Sequence, residues 1–257
     1  MNMHFQWVAF QTIVVKEVRR FVRIWPQTLL PPAITMTLYF VIFGNLIGSR
    51  IGDMGGFDYM QFIVPGLVMM SVIQNSYGNV VSSFYSTKFQ RSIEEMLVSP
   101  MSSGTILLGF VAGGVARGIC VGLIVTLLSL FFTELQVQHV LVTVLVVVLT
   151  AVLFSIGGFI NAMFANKFDD VAIIPTFVLT PLTYLGGVFY SIDLLPDFWR
   201  TVSLFNPVVY MVNTFRYGLL GVSDVDVFGS LVAIIVFTAG LFAVALWMLS
   251  RGIGIRQ

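Results

Sequence analysis

Hydrophobic and polar positions alternate on a long wavelength in this chain. Six stretches, residues 27–47, 59–84, 105–132, 140–164, 171–190 and 229–250, run with one charge among them, Arg117, while other charged residues crowd into the gaps. A helix of roughly 20 apolar residues crosses a hydrocarbon layer about 30 Å thick. Backbone inside that layer must satisfy its own hydrogen bonds, which leaves helices or closed barrels. Barrel strands would alternate apolar and polar at every second residue. These runs are unbroken, so the pattern predicts an all-α membrane protein with six transmembrane helices.

Shorter periodicities fill the gaps. In residues 1–25, Trp7, Phe10, Val14, Val18, Phe21 and Trp25 fall on one helical stripe, with Lys16, Arg19, Arg20 and Arg23 on the opposite face. Such a helix lies in the membrane surface, aromatics toward the acyl chains and cations toward phosphates or a partner. Residues 88–100 are also amphipathic: Phe89, Ile93, Met96 and Leu97 share one face, Lys88, Arg91 and Glu95 another, and Pro100 stops the helix. Mixed charge signs on a short helix between two spans suit docking to a protein, where a purely basic cluster would suit lipid. The bland readings are an anchor for the first segment and a solvated connector for the second.

Composition agrees: 58% of residues are hydrophobic and 10% charged, against about 25% charged in soluble domains. A net charge of +1 carries no sign of a nucleic-acid partner. Its distribution says more. Lys16, Arg19, Arg20, Arg23, Lys88, Arg91, Lys167, Arg251 and Arg256 fall on one side of the predicted spans, and only Arg50, Arg200 and Arg216 on the other. Cytoplasmic loops are enriched in Lys and Arg, so both termini are expected in the cytoplasm. No cleavable signal peptide is expected, because the first apolar run is too long and follows an amphipathic segment.

Catalytic chemistry finds little support. The lone Cys120 excludes an internal disulfide, and His4 and His139 lie far apart, so neither a metal site nor a catalytic centre is expected. Ser49, Asp53 and Asp58 share a loop whose polarity explains them. The 12 carboxylates fall in loops or at helix ends, which disfavours an ion-coupled carrier with titrating groups at mid-membrane. Lys16, Lys88 and Lys167 follow Val15, Thr87 and Asn166, so no Gly-x4-Gly-Lys-Ser/Thr phosphate loop exists. If ATP drives transport, another polypeptide binds it. Arg117, in Ala112-Gly-Gly-Val-Ala-Arg-Gly118, is expected to pair or to snorkel from a long, tilted span, with Gly113, Gly114, Gly118 and Gly122 allowing close packing.

The stretch after the fifth run is interrupted by Pro196 and Pro207, too broken to span and too apolar for a wet loop. It predicts two short helices, residues 193–216, dipping into the outer leaflet, with Trp199 and Tyr210 at headgroup level. Gly186-Gly187, Leu195-Pro196 and Asn206-Pro207-x-x-Tyr210, followed by Arg216, on a six-span plan, resemble the permeases of ABC-2 type transporters. The likeness covers essentially all of residues 1–257 as one transmembrane domain. Val208 departs from the family pattern, which usually has a larger residue there.

The resemblance implies a type V exporter-like fold in a bacterial inner membrane, a homodimer, and two copies of a separate cytoplasmic ABC ATPase holding ATP and magnesium. No cofactor would be bound by this chain itself. The family's coupling helix falls on residues 88–96 (Lys88, Phe89, Gln90, Arg91, Ile93, Glu94, Glu95 and Met96), and its interfacial helix on residues 5–23. Its pathway, from the first, second and fifth spans, would draw on Tyr39, Phe43, Asn75, Tyr77, Thr180 and Tyr184, for which plain helix packing is the alternative. Pro175 and Pro181 should bend the fifth span. Cargo would be amphipathic or lipid-like. The rival classes are an ion-coupled secondary transporter without an ATPase and a membrane scaffold protein.

Overall fold

The computed structural model describes residues 3–254, so Arg256 lies outside the described residues, as does the side chain of Ser49. The chain is mostly helical. The N-terminal segment is helix α1 (Met3–Arg23). The first apolar run follows as α2 (Trp25–Thr28), α3 (Leu30–Tyr39), a π-wound stretch Phe40–Ile47 and α4 (Gly48–Ile51). Gly55 and Gly56, at φ 61° and 83°, turn a two-residue hairpin between β1 (Asp53–Met54) and β2 (Phe57–Asp58).

Beyond it lie α5 (Tyr59–Phe89), α6 (Ser92–Val98), α7 (Ser103–Ser129) and α8 (Val140–Phe164). The fifth run is α9 (Phe168–Ile174), a π-wound stretch Pro175–Leu179 and α10 (Thr180–Tyr184). A 3-10 turn (Ile192–Leu194), α11 (Asp197–Leu204), α12 (Pro207–Leu220) and α13 (Val227–Arg251) complete it.

Among the described residues, four segments are long and apolar enough to cross a membrane: Trp25–Gly44, Ser103–Ser129, Val140–Phe164 and Val227–Arg251. α5 is the least apolar of the long central helices and the most enclosed. Its Ile63, Val64, Leu67, Ile73, Val80 and Phe84 are fully buried, since it lies between α7 and α8. Its polar side chains fold back on its own carbonyls, as Asn75 does on Ser71 (2.9 Å) and Thr87 on Ser83 (3.0 Å). At about 1.5 Å per residue it is roughly 46 Å long.

Small residues let these helices touch. A methyl group built on Gly118 of α7 would lie 2.5 Å from Ser76 Oγ, and one on Gly113 would lie 2.5 Å from Glu17 Cβ. Phe84 packs between Phe110, edge to face, and Phe159, with ring centroids 5.2 and 4.1 Å away. Because α6 follows α5, the two ends of the bundle are called here the α6 end and the α12 end.

Two expectations change. The fifth helix was expected through residue 190 but ends at Tyr184. The chain turns at Gly187, whose φ of +72° suits glycine. The carboxylates are not confined to loops and helix ends, because Glu17 lies in the middle of α1 with no solvent exposure.

Candidate functional site

At the α6 end the connector has sharper geometry than its periodicity foretold. α5 stops at Phe89, and Arg91, at φ 59°, is the one described non-glycine residue in the left-handed region. That conformation costs on the order of 1 kcal/mol and commonly marks a functional constraint. The break divides the predicted faces. Ile93 of α6 is 1% exposed and pins the helix to the bundle, whereas Phe89 belongs to α5 and is 64% exposed. Phe89 packs at a tilt against Phe168 of α9 at 5.0 Å, and Phe168 meets Tyr85 at 4.9 Å.

Lys88 also leaves its expected solvent face. Its Nζ donates to the carbonyls of Met163 and Ala165, both at 2.8 Å, at the C-terminus of α8. A cation there offsets the helix dipole and the unpaired carbonyls. Gln90, Arg91, Glu94 and Glu95 stay exposed, Met96 is half-buried, and Val98 at the tip is 88% exposed. A cleft of about 380 Å³ opens beside them, lined by Lys88, Phe89, Arg91, Glu94 and Asn166.

Asn166 of that lining is held by Asp170, whose carboxylate accepts from the amides of Asn166 (2.9 Å) and Lys167 (3.0 Å). These amides hold it below the usual aspartate value. Its stabilisation of the loop is present above that usual value and is lost as pH falls through the lowered one.

α1 braces this end. Gln6 donates to Pro100 O (2.7 Å) and accepts from Ser102 N (2.9 Å) and Thr105 Oγ1 (2.6 Å), which ties α1 to the linker after α6. Further along, Ile13, Glu17 and Phe21 form its buried stripe. Ser83 Oγ donates to Glu17 at 2.6 Å, and Arg20 reaches Glu17 at 3.2 Å and Asn79 Oδ1 at 2.8 Å. The predicted aromatic stripe divides: Phe21 is buried, whereas Trp7 and Trp25 are more than half exposed and Phe10 is half-buried beside Trp7 at 5.7 Å. Lys16 stands 5.5 Å over the ring of Phe110, while Arg19 and Arg23 are exposed.

Glu17→Ala is expected to loosen α1 at a cost of about 2–4 kcal/mol, because Arg20 loses its counter-charge and Ser83 its acceptor. Glu17→Gln, which still accepts from Ser83, should cost about half as much. Faster trypsin cleavage at Arg19 and Arg23 together with a lower melting temperature reads the effect, and unchanged cleavage in the alanine variant would refute it.

Arg117 is paired: it donates to Asn75 Oδ1 (3.1 Å) and to Thr28 O (3.2 Å). This engages Asn75, and Tyr77 is buried against Gly157 and Gly158 of α8, so both are enclosed within the protomer. Of the other suggested pathway residues, three gather in one cluster. Tyr39 and Tyr184 share a hydroxyl contact of 2.8 Å, and Phe43 lies 4.7 Å from Phe189. Phe189 also touches both tyrosines, at 5.9 and 5.7 Å, and completes an aromatic cluster that the sequence reading left out. Thr180 turns its hydroxyl back onto Pro175 O (2.9 Å).

At the α12 end the residues that carry the resemblance hold the chain reversal. Asn206 caps α12 by accepting from Val208 N (2.9 Å) and donates to Leu182 O (2.7 Å). Pro207 occupies the first turn, where no amide is needed. Tyr210 donates to Leu204 O at 2.7 Å. Val208 packs directly on Gly186, so the smaller residue at 208 fits the space there. Pro196 opens α11, and Arg200 pairs with Asp193 at 2.8 Å. Arg216 is completely buried, donating to Gly187 O (2.7 Å) and Asn213 Oδ1 (3.2 Å), with its guanidinium 3.8 Å over Phe62.

Comparison with known proteins covers all these elements. The family model described as ABC-2 type transporter matches residues 8–220, from α1 to the end of α12. The inner membrane transport permease YadH of Escherichia coli (strain K12) is 58% identical over 255 residues, 99% of this chain and 100% of the relative. Nodulation protein J of Rhizobium leguminosarum bv. trifolii is 25% identical over 191 residues, 74% of this chain and 73% of its own length. Its namesake in Sinorhizobium fredii is 25% identical over 208 residues, 80% and 78% of the two chains.

Proposed function

The chain belongs to the ABC-2 type transporter family, and from that premise we propose that it is the membrane subunit of an ATP-driven exporter in a bacterial inner membrane. Two copies of the chain pair with two copies of a cytoplasmic ABC ATPase, and ATP and magnesium sit on those partners. This chain offers no phosphate loop of its own. Six spans cross the membrane, with α5 and the α9–α10 run added to the four apolar segments. α11 and α12 re-enter the outer leaflet, and the α6 end, with both termini, faces the cytoplasm.

The observation that carries this reading is the exposed rim of α6. Arg91, Glu94, Glu95 and Val98 project from a short helix whose Ile93 is buried in the bundle. A pull on α6 is delivered to α5 through the bend at Arg91, to α8 through Lys88 and to α1 through Gln6. Closure of the ATPase pair would thus tilt several helices together, provided the closed state binds one permease conformation several kcal/mol better. The cargo is an amphiphile. The cluster of Tyr39, Phe43 and Phe189, each half-buried, with the exposed ring of Tyr184 suits apolar chains and weak polar groups, and the absence of charge among them does not suit small ions.

Purification of the tagged chain from its own membranes should bring an ABC ATPase in equal amount. Vesicles holding both should hydrolyse ATP faster when the cargo amphiphile is added. Uphill transport by vesicles containing this chain alone would overturn the proposal in favour of an ion-coupled carrier.

A further inference from the structure

Where α1 meets α5 and α7, hydrogen-bond donors outnumber acceptors. Arg20 donates to the carbonyl and Oδ1 of Asn79 (3.0 and 2.8 Å) and to Glu17 (3.2 Å). Arg117 donates to Asn75 Oδ1 (3.1 Å) and Thr28 O (3.2 Å). Asn75 and Asn79 stand one turn apart on α5, so the two guanidinium groups lie one above the other along a single face. Glu17, against Gly113, is one helical turn of α7 away from Arg117. Two cations and one carboxylate leave this partly buried junction with an excess positive charge.

Three buried atoms here lack any hydrogen-bond partner among the described residues: Arg20 Nε, Arg117 Nε and Asn79 Nδ2. All three are donors, and Asn79 itself has no solvent exposure. Buried polar groups are normally satisfied, and orphans point to a missing water or ion. Water would pair the donors but leave the charge unbalanced at low dielectric. An anion with several oxygens does both, and guanidinium forks match phosphate geometry.

The junction opens at one edge, where the Arg20 side chain is 29% exposed. Exposed apolar residues flank it: Val22, Ile24 and Trp25 after Arg20, then Leu30 and Ile34 of α3. A cationic junction with one open edge, bordered by an apolar strip, suits a molecule with a phosphate head and hydrocarbon tails.

We propose that the Arg20–Arg117–Asn79 junction binds the phosphate of a membrane amphiphile, with the phosphate oxygens accepting from the three unpaired donors and the acyl chains lying along α2 and α3. The claim requires residence in a membrane and is independent of any ATPase, so it can fail while the exporter reading stands.

The test titrates the detergent-purified chain with dioctanoyl phosphatidate, dioctanoylglycerol and inorganic phosphate, with binding read by native mass spectrometry and calorimetry. Phosphatidate should bind saturably, roughly tenfold or more tighter than inorganic phosphate, and dioctanoylglycerol should not bind saturably. Arg117→Gln should weaken phosphatidate about tenfold or more, and Arg117→Lys, which keeps the charge without the fork, by an intermediate factor. Arg251→Gln, an exposed cation elsewhere, should stay within about twofold. Equal binding of dioctanoylglycerol, or undiminished binding in folded Arg117→Gln and Arg117→Lys proteins, overturns the site. Equal affinity for phosphatidate and inorganic phosphate overturns the lipid as its source and assigns the junction to free phosphate.

Discussion

Arg216→Ala is expected to leave almost no folded protein in the membrane, and Arg216→Lys to restore only part of it. Arg216 is the largest fully buried side chain of the structure, and among the described residues no carboxylate pairs with it. Its guanidinium is solvated by the Gly187 and Phe62 carbonyls, by Asn213 Oδ1 and by the face of the Phe62 ring. These contacts join the turn after α10, the start of α5 and the middle of α12.

Truncation to alanine leaves a cavity worth about 2–5 kcal/mol and strands the Gly187 carbonyl at about 1–3 kcal/mol more. Domains have only about 5–15 kcal/mol to lose. Removing the guanidinium also relieves its desolvation, an opposing gain of several kcal/mol. That gain is realised only by a side chain that fills the volume, so Arg216→Met should lie nearer the wild type than alanine does. Lysine keeps the charge but cannot reach three acceptors in different directions at once. Size-exclusion profiles of membrane extracts and melting temperatures check the order, and an alanine variant melting within about 2 °C of wild type would refute it.

Transport should collapse, with the fold intact, when Arg91→Gly is combined with Glu95→Ala. The glycine is chosen from the backbone: at φ 59° it relieves strain, so the variant should be as stable as the wild type or more stable by about 0.5–1 kcal/mol. Both side chains are exposed on the rim of α6 and make no hydrogen bond to the rest of the chain among the described residues. Their loss therefore costs the bundle nothing. If the rim seats an ATPase, removing two charged anchors should cost about 1–3 kcal/mol each, and roughly tenfold or more in coupled activity. The readout is cargo-stimulated ATPase rate against basal rate in vesicles of equal protein content. Wild-type stimulation in a double variant with wild-type melting would remove α6 from the coupling route.

Much of the architecture was legible from one dimension. Lipid-crossing helices announce themselves through long apolar runs, and the runs at 105–132, 140–164 and 229–250 match α7, α8 and α13 within a few residues. The amphipathic start and the short helix after α5 were also readable from their period of 3.6 residues. Less was readable at the sites. Glu17 sits between flanks of aromatic and basic residues that dominated the pattern of α1, and nothing local distinguishes a buried carboxylate from a solvated one. Gln6 and Phe189 carry no motif. Lys88 and Phe89 were placed by continuing one helix through residue 91, where the backbone breaks at φ 59°.

The chain's own pattern determined where helices run, how long most of them are and where they stop at proline or glycine, because those follow from burial in hydrocarbon and from local backbone sterics. Tertiary structure alone decided which face of each helix meets protein. Hydropathy scores lipid and protein interior alike as an escape from water, so it could not tell the outward stripe of Trp7 and Trp25 from the inward stripe of Ile13, Glu17 and Phe21. The choice was made by shape, where Gly109 and Gly113 of α7 leave room for Ile13 and Glu17, and by the pairing of Glu17 with Ser83, a partner far away in sequence.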